Sequence, residues 1–122
     1  MPWTMEYNAD LKIISVTSSG EWTPDEDDRM LDELRRLSVA HGCISFLIDF
    51  RAAKIKFEFM SIFGRAGTYE KMHFSKDSRA ALLVEKIGDD HAFYEDVCAN
   101  RGFKIRVFDN YNKSIRWLAP GH

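Results

Sequence analysis

Apolar positions along this chain recur with two different periods, and the alternation between them lays out the fold. Trp3 to Tyr7 and Leu11 to Thr17 are rich in aromatic and β-branched residues, with the turn formers Asn8, Ala9 and Asp10 between them. That pattern predicts a hairpin. Lys12, Ser15 and Thr17 interrupt its second strand, as suits a position near a sheet edge, and Ser18-Ser19-Gly20 is expected to break it. Cys43 to Phe50 is a short run of mostly apolar residues that reads as a strand buried on both faces, with Asp49 near its carboxyl end. Ala80 to Val84 is a second all-apolar strand, and Phe103 to Phe108 alternates Phe-Lys-Ile-Arg-Val-Phe, the mark of a strand with one wetter face.

Between these strands the period lengthens to that of a helix. Thr23 suits an N-cap, Pro24 the first helical position, and Glu26 the reciprocal place of a capping box. Asp25, Asp27 and Asp28 fall in the same first turn, where the helix dipole favours negative charge. Met30, Leu31, Leu34 and Leu37 form the buried stripe, and Gly42 the stop. Arg51 to Lys56 is expected to be a connecting loop, followed by a second helix from Phe57 to about Tyr69. In that helix Phe59, Met60, Ile62, Phe63, Ala66 and Gly67 span an arc of about 160° at the helical period, while Phe57 and Tyr69 fall outside it. Gly88-Asp89-Asp90 is a loop with capping residues before a third helix from His91 to Arg101. Asp109 or Asn110 caps a last helix, Tyr111 to Leu118.

The order β-β-α-β-α-β-α-β-α predicts one α/β domain over residues 1–122. Its sheet has five strands and is mostly parallel, with the hairpin as an antiparallel edge and about four helices around it. A length of 122 residues is enough for a substantial core. Net charge is −2, which makes no electrostatic case for nucleic acid or an anionic membrane. No apolar run is long enough to span a bilayer, and Met1 to Glu6 carries neither the basic region nor the apolar core of a signal peptide. Two cysteines do not make a disulfide framework, so the cytoplasm is the expected compartment.

The segments Phe46-Leu47-Ile48-Asp49-Phe50-Arg51, Ser78 to Val84, Asn100 to Phe108 and Ser114 to Leu118 are similar to the corresponding stretches of the SpoIIAA-like (STAS/SEC14-type) family of small bacterial proteins. The resemblance runs over nearly the whole chain. It implies the STAS-like fold and a non-enzymatic regulatory or ligand-carrying role. Anti-sigma-factor antagonists of the wider superfamily carry an Asp-Ser-Ser/Thr-Gly phosphorylation motif at the start of the helix after the central strand. Here that region reads Lys56-Phe57-Glu58-Phe59-Met60-Ser61, without the phosphorylatable serine in its place.

Candidate chemistry is sparse. His41-Gly42-Cys43 and Asp89-Asp90-His91 each bring together metal-ligand types, but neither has a second pair at zinc-like spacing, so no metal and no cofactor is expected. Asp49 is the best catalytic candidate by position, since open α/β sheets bind ligands at the carboxyl ends of their strands. A strand-end carboxylate is more commonly satisfied by loop amides, and no catalytic residue is assigned. Gly64-Arg65-Ala66-Gly67 has the form of an RNA-clamping loop but lies in a helical pattern without a basic surround. The outstanding feature is the aromatic crowding of residues 55–74. Phe57, Phe59, Met60, Phe63 and Tyr69, with Asp49 nearby, make the expected binding surface. Three readings stay open: a thick core, the roof of a pocket for an apolar small molecule or lipid, or a face for a protein partner, which includes a second copy in a homodimer.

Overall fold

The computed structural model describes residues 2–55 and 74–120. Five strands form one sheet in the order β1-β2-β3-β4-β5, with β1 Trp3–Asn8, β2 Ile13–Trp22, β3 Ser45–Ile55, β4 Arg79–Leu83 and β5 Lys104–Phe108. β1 and β2 pair antiparallel and the other neighbours pair parallel, which is the mostly parallel sheet with a hairpin edge that the alternation implies. Among the described residues there are three helices: α1 Pro24–His41, α2 Asp89–Asn100 and α3 Tyr111–Leu118. The helix expected over Phe57 to Tyr69 lies outside the described residues.

Each strand divides its side chains between two layers. Ile14, Val16, Phe46, Ile48, Phe50 and Val107 pack with Met30, Leu31 and Leu34 of α1. Tyr94, Val97 and Cys98 of α2 pack on the same face, against Leu82 and Ile105. The connections β2-α1-β3 and β4-α2-β5 step the same way across the sheet, so a common handedness puts both helices on one side. Ile13, Leu47, Ala81 and Leu83 point to the other face, which α3 covers with Leu118, Ile115 and Trp117. Ser114 is fully buried there, its small side chain donating to the Tyr111 carbonyl at 2.6 Å.

Local chemistry sets the helix ends. The Thr23 hydroxyl accepts from the Glu26 amide at 3.3 Å, and Pro24 opens α1. Gly42 closes it in the left-handed region at φ 60°, its N–H directed at the carbonyls of Ser38 and Val39. Asn110 caps α3 by accepting from the Lys113 amide at 2.9 Å. α2 starts at Asp89 rather than His91, because the His91 ring reaches back to accept from the Gly88 amide at 2.9 Å.

Two strand boundaries differ from expectation. Ser18-Ser19-Gly20 does not break β2, and Arg51 to Ile55 is strand rather than loop. The two stretches pair with each other: Ser19 with Ala52, Gly20 with Ala53, Glu21 with Lys54 and Trp22 with Ile55. Between Thr17–Asp49 and Ser19–Ala52 the register slips, so that Phe50 and Arg51 together oppose Ser18. This β-bulge re-phases the central strand, and Ala53 joins the α1 face that even-numbered residues occupied before it.

The join between β2 and α1 is tied by indoles. Trp22, fully buried, ends β2 and donates from its ring N–H to Asp27 at 3.1 Å. Trp3 packs edge-on against it, with centroids 5.9 Å apart, and donates to Glu33 at 2.8 Å. Asp27 is therefore a buried hydrogen-bond acceptor as well as a member of the acidic first turn.

Candidate functional site

β4 ends at Leu83, which pairs with Asp49. Beyond that point β3 continues, among the described residues, alongside β2 alone, so Asp49 and Arg51 stand on a step at the carboxyl end of the sheet. Arg51 closes a fork on Asp49: Nη2 donates to Oδ2 at 2.8 Å, Nε to Oδ1 at 3.0 Å, and the backbone N–H to Oδ1 at 2.9 Å. The bulge makes this possible by bringing the amide and side chain of Arg51 to the same carboxylate. Partial burial works to raise the Asp49 carboxyl, but the Arg51 side chain, its amide and its charge outweigh that and hold the carboxyl below the usual range. The hydrogen bonds to Asp49 in turn strengthen the hold of Arg51 on its proton, with Glu85 and Tyr111 adding to the field around it. A carboxylate depressed in this way is a weak base, and the fork leaves its guanidinium already engaged.

The α1 face carries a cavity of about 40 Å³ between α1 and strands β3, β4 and β5. Leu34, Phe46, Ile48, Leu82, Phe103 and Ile105 supply apolar wall, and Ser75 and Ser78 contribute hydroxyls. Phe74 packs edge-on against Phe46 with ring centroids 5.8 Å apart.

Of the expected site residues, Asp49 is placed as above. Phe57, Phe59, Met60, Phe63 and Tyr69 lie outside the described residues, as do Lys56, Ser61 and the Gly64 to Gly67 stretch. His41 is exposed and stacks on Tyr7 with centroids 4.1 Å apart, and Cys43 is buried with its thiol toward the Lys12 carbonyl at 3.3 Å. Burial pushes the Cys98 thiol up to about 11, against smaller lowering effects from Tyr94 and Arg101, so it is a core residue rather than a nucleophile. Among the described residues no three His, Cys, Asp or Glu side chains converge to hold a metal, and no helix is long and apolar enough to cross a membrane.

Sequence reasoning did not find the buried Trp22–Asp27 pair. The signal was present, because Trp22 occupies the position before the N-cap and Asp27 the fourth helical position, which face each other at a helix entry. Nor did it find the cationic flank on the opposite side of the sheet, where Arg79 and Arg106 approach the Trp117 ring.

No protein-family model and no curated protein matches the chain. Solved structures do. An uncharacterized protein of the DUF3478 family with a SpoIIAA-like fold, from Shewanella loihica PV-4, superposes with a TM-score of 0.60 at 16% identity, covering 95% of this chain and 91% of that one. The anti-sigma factor antagonist SpoIIAA in its unphosphorylated form gives 0.61 at 11% identity, over 98% of this chain and 99% of that one. An anti-sigma factor antagonist from Mycobacterium paratuberculosis gives 0.56 at 15% identity, over 95% and 93%. The fold is SpoIIAA-like, and identities this low speak to fold alone.

Proposed function

We propose that this chain is a non-enzymatic regulatory module that works by binding a protein partner through residues 55–74. Phe57, Phe59, Met60, Phe63 and Tyr69 form its contact set, with Asp49 as a structural residue beside it. The observation that carries the reading is the end-to-end likeness of fold to two anti-sigma factor antagonists, proteins named for acting on another regulator. The Asp49–Arg51 fork supports it by making Asp49 a poor candidate for acid–base work. Within this reading the chain is an antagonist-like regulator that does without the usual phosphorylatable serine. A second copy of the chain is one partner the aromatic surface suits.

Two measurements test it. Sedimentation velocity over a range of concentrations is expected to show a dimer for the wild type and a folded monomer for Phe57→Asp combined with Tyr69→Asp, since a charge is unfavourable in a desolvated interface. Affinity capture with the same pair of baits is expected to retain a protein on the wild type and lose it on the double variant. A wild type that is monomeric at every concentration and retains no protein sensitive to the double substitution rejects the reading.

A second reading, an apolar small molecule or lipid as ligand, would use the apolar cavity on the α1 face. Its volume of about 40 Å³ falls well short of the roughly 150 Å³ at which an apolar cavity takes up benzene. Mass spectrometry of natively purified protein separates the two: a stoichiometric co-purified lipid transfers the function to carriage.

A further inference from the structure

α3 is a single helix of eight residues and cannot cover one whole face of a five-stranded sheet. It lies mainly over β3 and β4 and reaches β5 at one end, and among the described residues nothing else covers the flanks of that face. The flank on β2 and β1 presents Ser15, Thr17 and Ser19 with Thr4 and Glu6 beside them, a polar surface with one acidic side chain and no cation. The flank on β5 is different. Lys104 and Arg106 project from it at alternate positions, both exposed, and Arg79 lies beside Lys104 in the register of β4. Arg116 of α3 is exposed as well. From residue 101 to residue 118 the chain has five basic side chains and one acidic one.

The cations sit on an aromatic floor. The Arg79 guanidinium lies 5.4 Å from the centre of the Trp117 ring and donates to the Trp117 carbonyl at 3.0 Å. The Arg106 guanidinium lies 5.4 Å from the Phe108 ring and 5.9 Å from that of Trp117, and the two rings are themselves 5.8 Å apart. Among the described residues no carboxylate forms an ion pair with Lys104, Arg106 or Arg79. Solvation of an uncovered flank requires polar residues, as β2 shows; it does not require that they all be cations gathered over two rings.

β5 is also an edge, pairing among the described residues with β4 alone. Its outer backbone groups are available to an added strand. We propose that an extended, acidic protein segment docks along β5, with carboxylates at alternate positions meeting Lys104 and Arg106. The match is one of period: side chains on one face of a strand recur every second residue, about 7 Å apart, so a strand laid alongside β5 repeats its spacing. The rings hold Arg106 in place before the partner arrives, which reduces the entropy lost on binding. A long polyanion is disfavoured by the net charge of −2 and by the acidic first turn of α1. This surface uses none of residues 55–74, so it and the partner-binding reading above stand or fall separately.

The test uses the whole chain and a fluorescein-labelled peptide of alternating glutamate and threonine, followed by anisotropy at low salt. Saturable binding is expected, weakened roughly tenfold by Lys104→Gln with Arg106→Gln, as the loss of two charge pairs at the edge of a hydrophobic surface would give. Arg106→Lys, which keeps the charge, retains most of the affinity and guards against misfolding as the cause. Strand addition is further expected to slow amide hydrogen exchange along β5. A peptide of the same composition with its glutamates blocked at one end is expected to bind more weakly. Equal binding of the blocked peptide, no effect of the Gln variants, no binding at all, or tighter binding of a single-stranded oligonucleotide or a phosphatidylglycerol vesicle overturns the proposal.

Discussion

The indole N–H of Trp22 donates to the carboxylate of Asp27 across the join between β2 and α1, with both side chains withdrawn from water. A helix entry is more commonly held by two apolar side chains at these positions; here a hydrogen bond is added to the packing. Asp27→Ala removes the acceptor and strands a buried donor, at a cost of about 1–3 kcal/mol. Asp27→Asn keeps an acceptor oxygen and should cost less. Urea denaturation of both variants checks this, and equal losses would show that charge rather than the hydrogen bond matters.

Ser18 faces the bulge, fully buried, and its hydroxyl has no hydrogen-bond partner among the described residues. A desolvated hydroxyl without a partner destabilises the fold, so Ser18→Ala is expected to be neutral or stabilising, by up to about 1 kcal/mol. A clear loss in thermal denaturation would reveal that the hydroxyl is satisfied after all.

The depressed Asp49 carboxyl contributes stability that is fully present above its unfolded value, near 4, and is lost as pH falls through the lower folded value. Asp49→Asn should therefore be less stable than wild type at pH 6, with the gap closing below about pH 4. Stability curves from pH 2 to pH 7 for both proteins measure this. A gap that stays constant into acid would mean that the Arg51 fork does not hold the ionised form. In a binding assay against whatever partner the chain takes, the same variant should behave as wild type.

Gly42 ends α1 at φ 60°, and a methyl group added there meets no atom within 4 Å. The cost of Gly42→Ala is then purely conformational, about 1–2 kcal/mol for placing an L-residue in the left-handed region. Gly42→Asn, which tolerates that region better, should recover part of it. A loss with Asn as large as with Ala would point to some other role for the position.

Where the sequence was legible, local chemistry decided the structure. Thr23, Pro24 and Gly42 mark the ends of α1, and α3 runs from Tyr111 to Leu118 as its cap and apolar spacing require. Where it was not, a distant partner decided. Ser18-Ser19-Gly20 and Arg51-Ala52-Ala53 each look like interruptions alone, and become strand only because each supplies the other's hydrogen bonds. Glu21 opposite Lys54 is a complementary charge pair that in retrospect marks the register. Asp49 stands out in the sequence as a candidate, but Arg51 reads there as loop, which hides the fork between them. The acidic first turn of α1 was explained by the helix dipole, which concealed the separate role of Asp27. The cations of β5 were legible only as a wetter face; their gathering over Trp117 depends on how α3 crosses the sheet.

The bulge has a consequence for chain length. Thr17 pairs with Asp49 and Ser19 with Ala52, so one residue of β2 spans what two residues of β3 span. Shortened by Arg51 alone, the central strand would meet every other partner in β2 without interruption. Arg51 is thus supernumerary to the sheet, and the one residue that pairing could dispense with is the one whose guanidinium clasps Asp49 at the rim. Deleting it would leave the ladder continuous and remove only the clasp, which makes single-residue deletion, rather than substitution, the cleanest way to separate what the rim does from what the sheet needs.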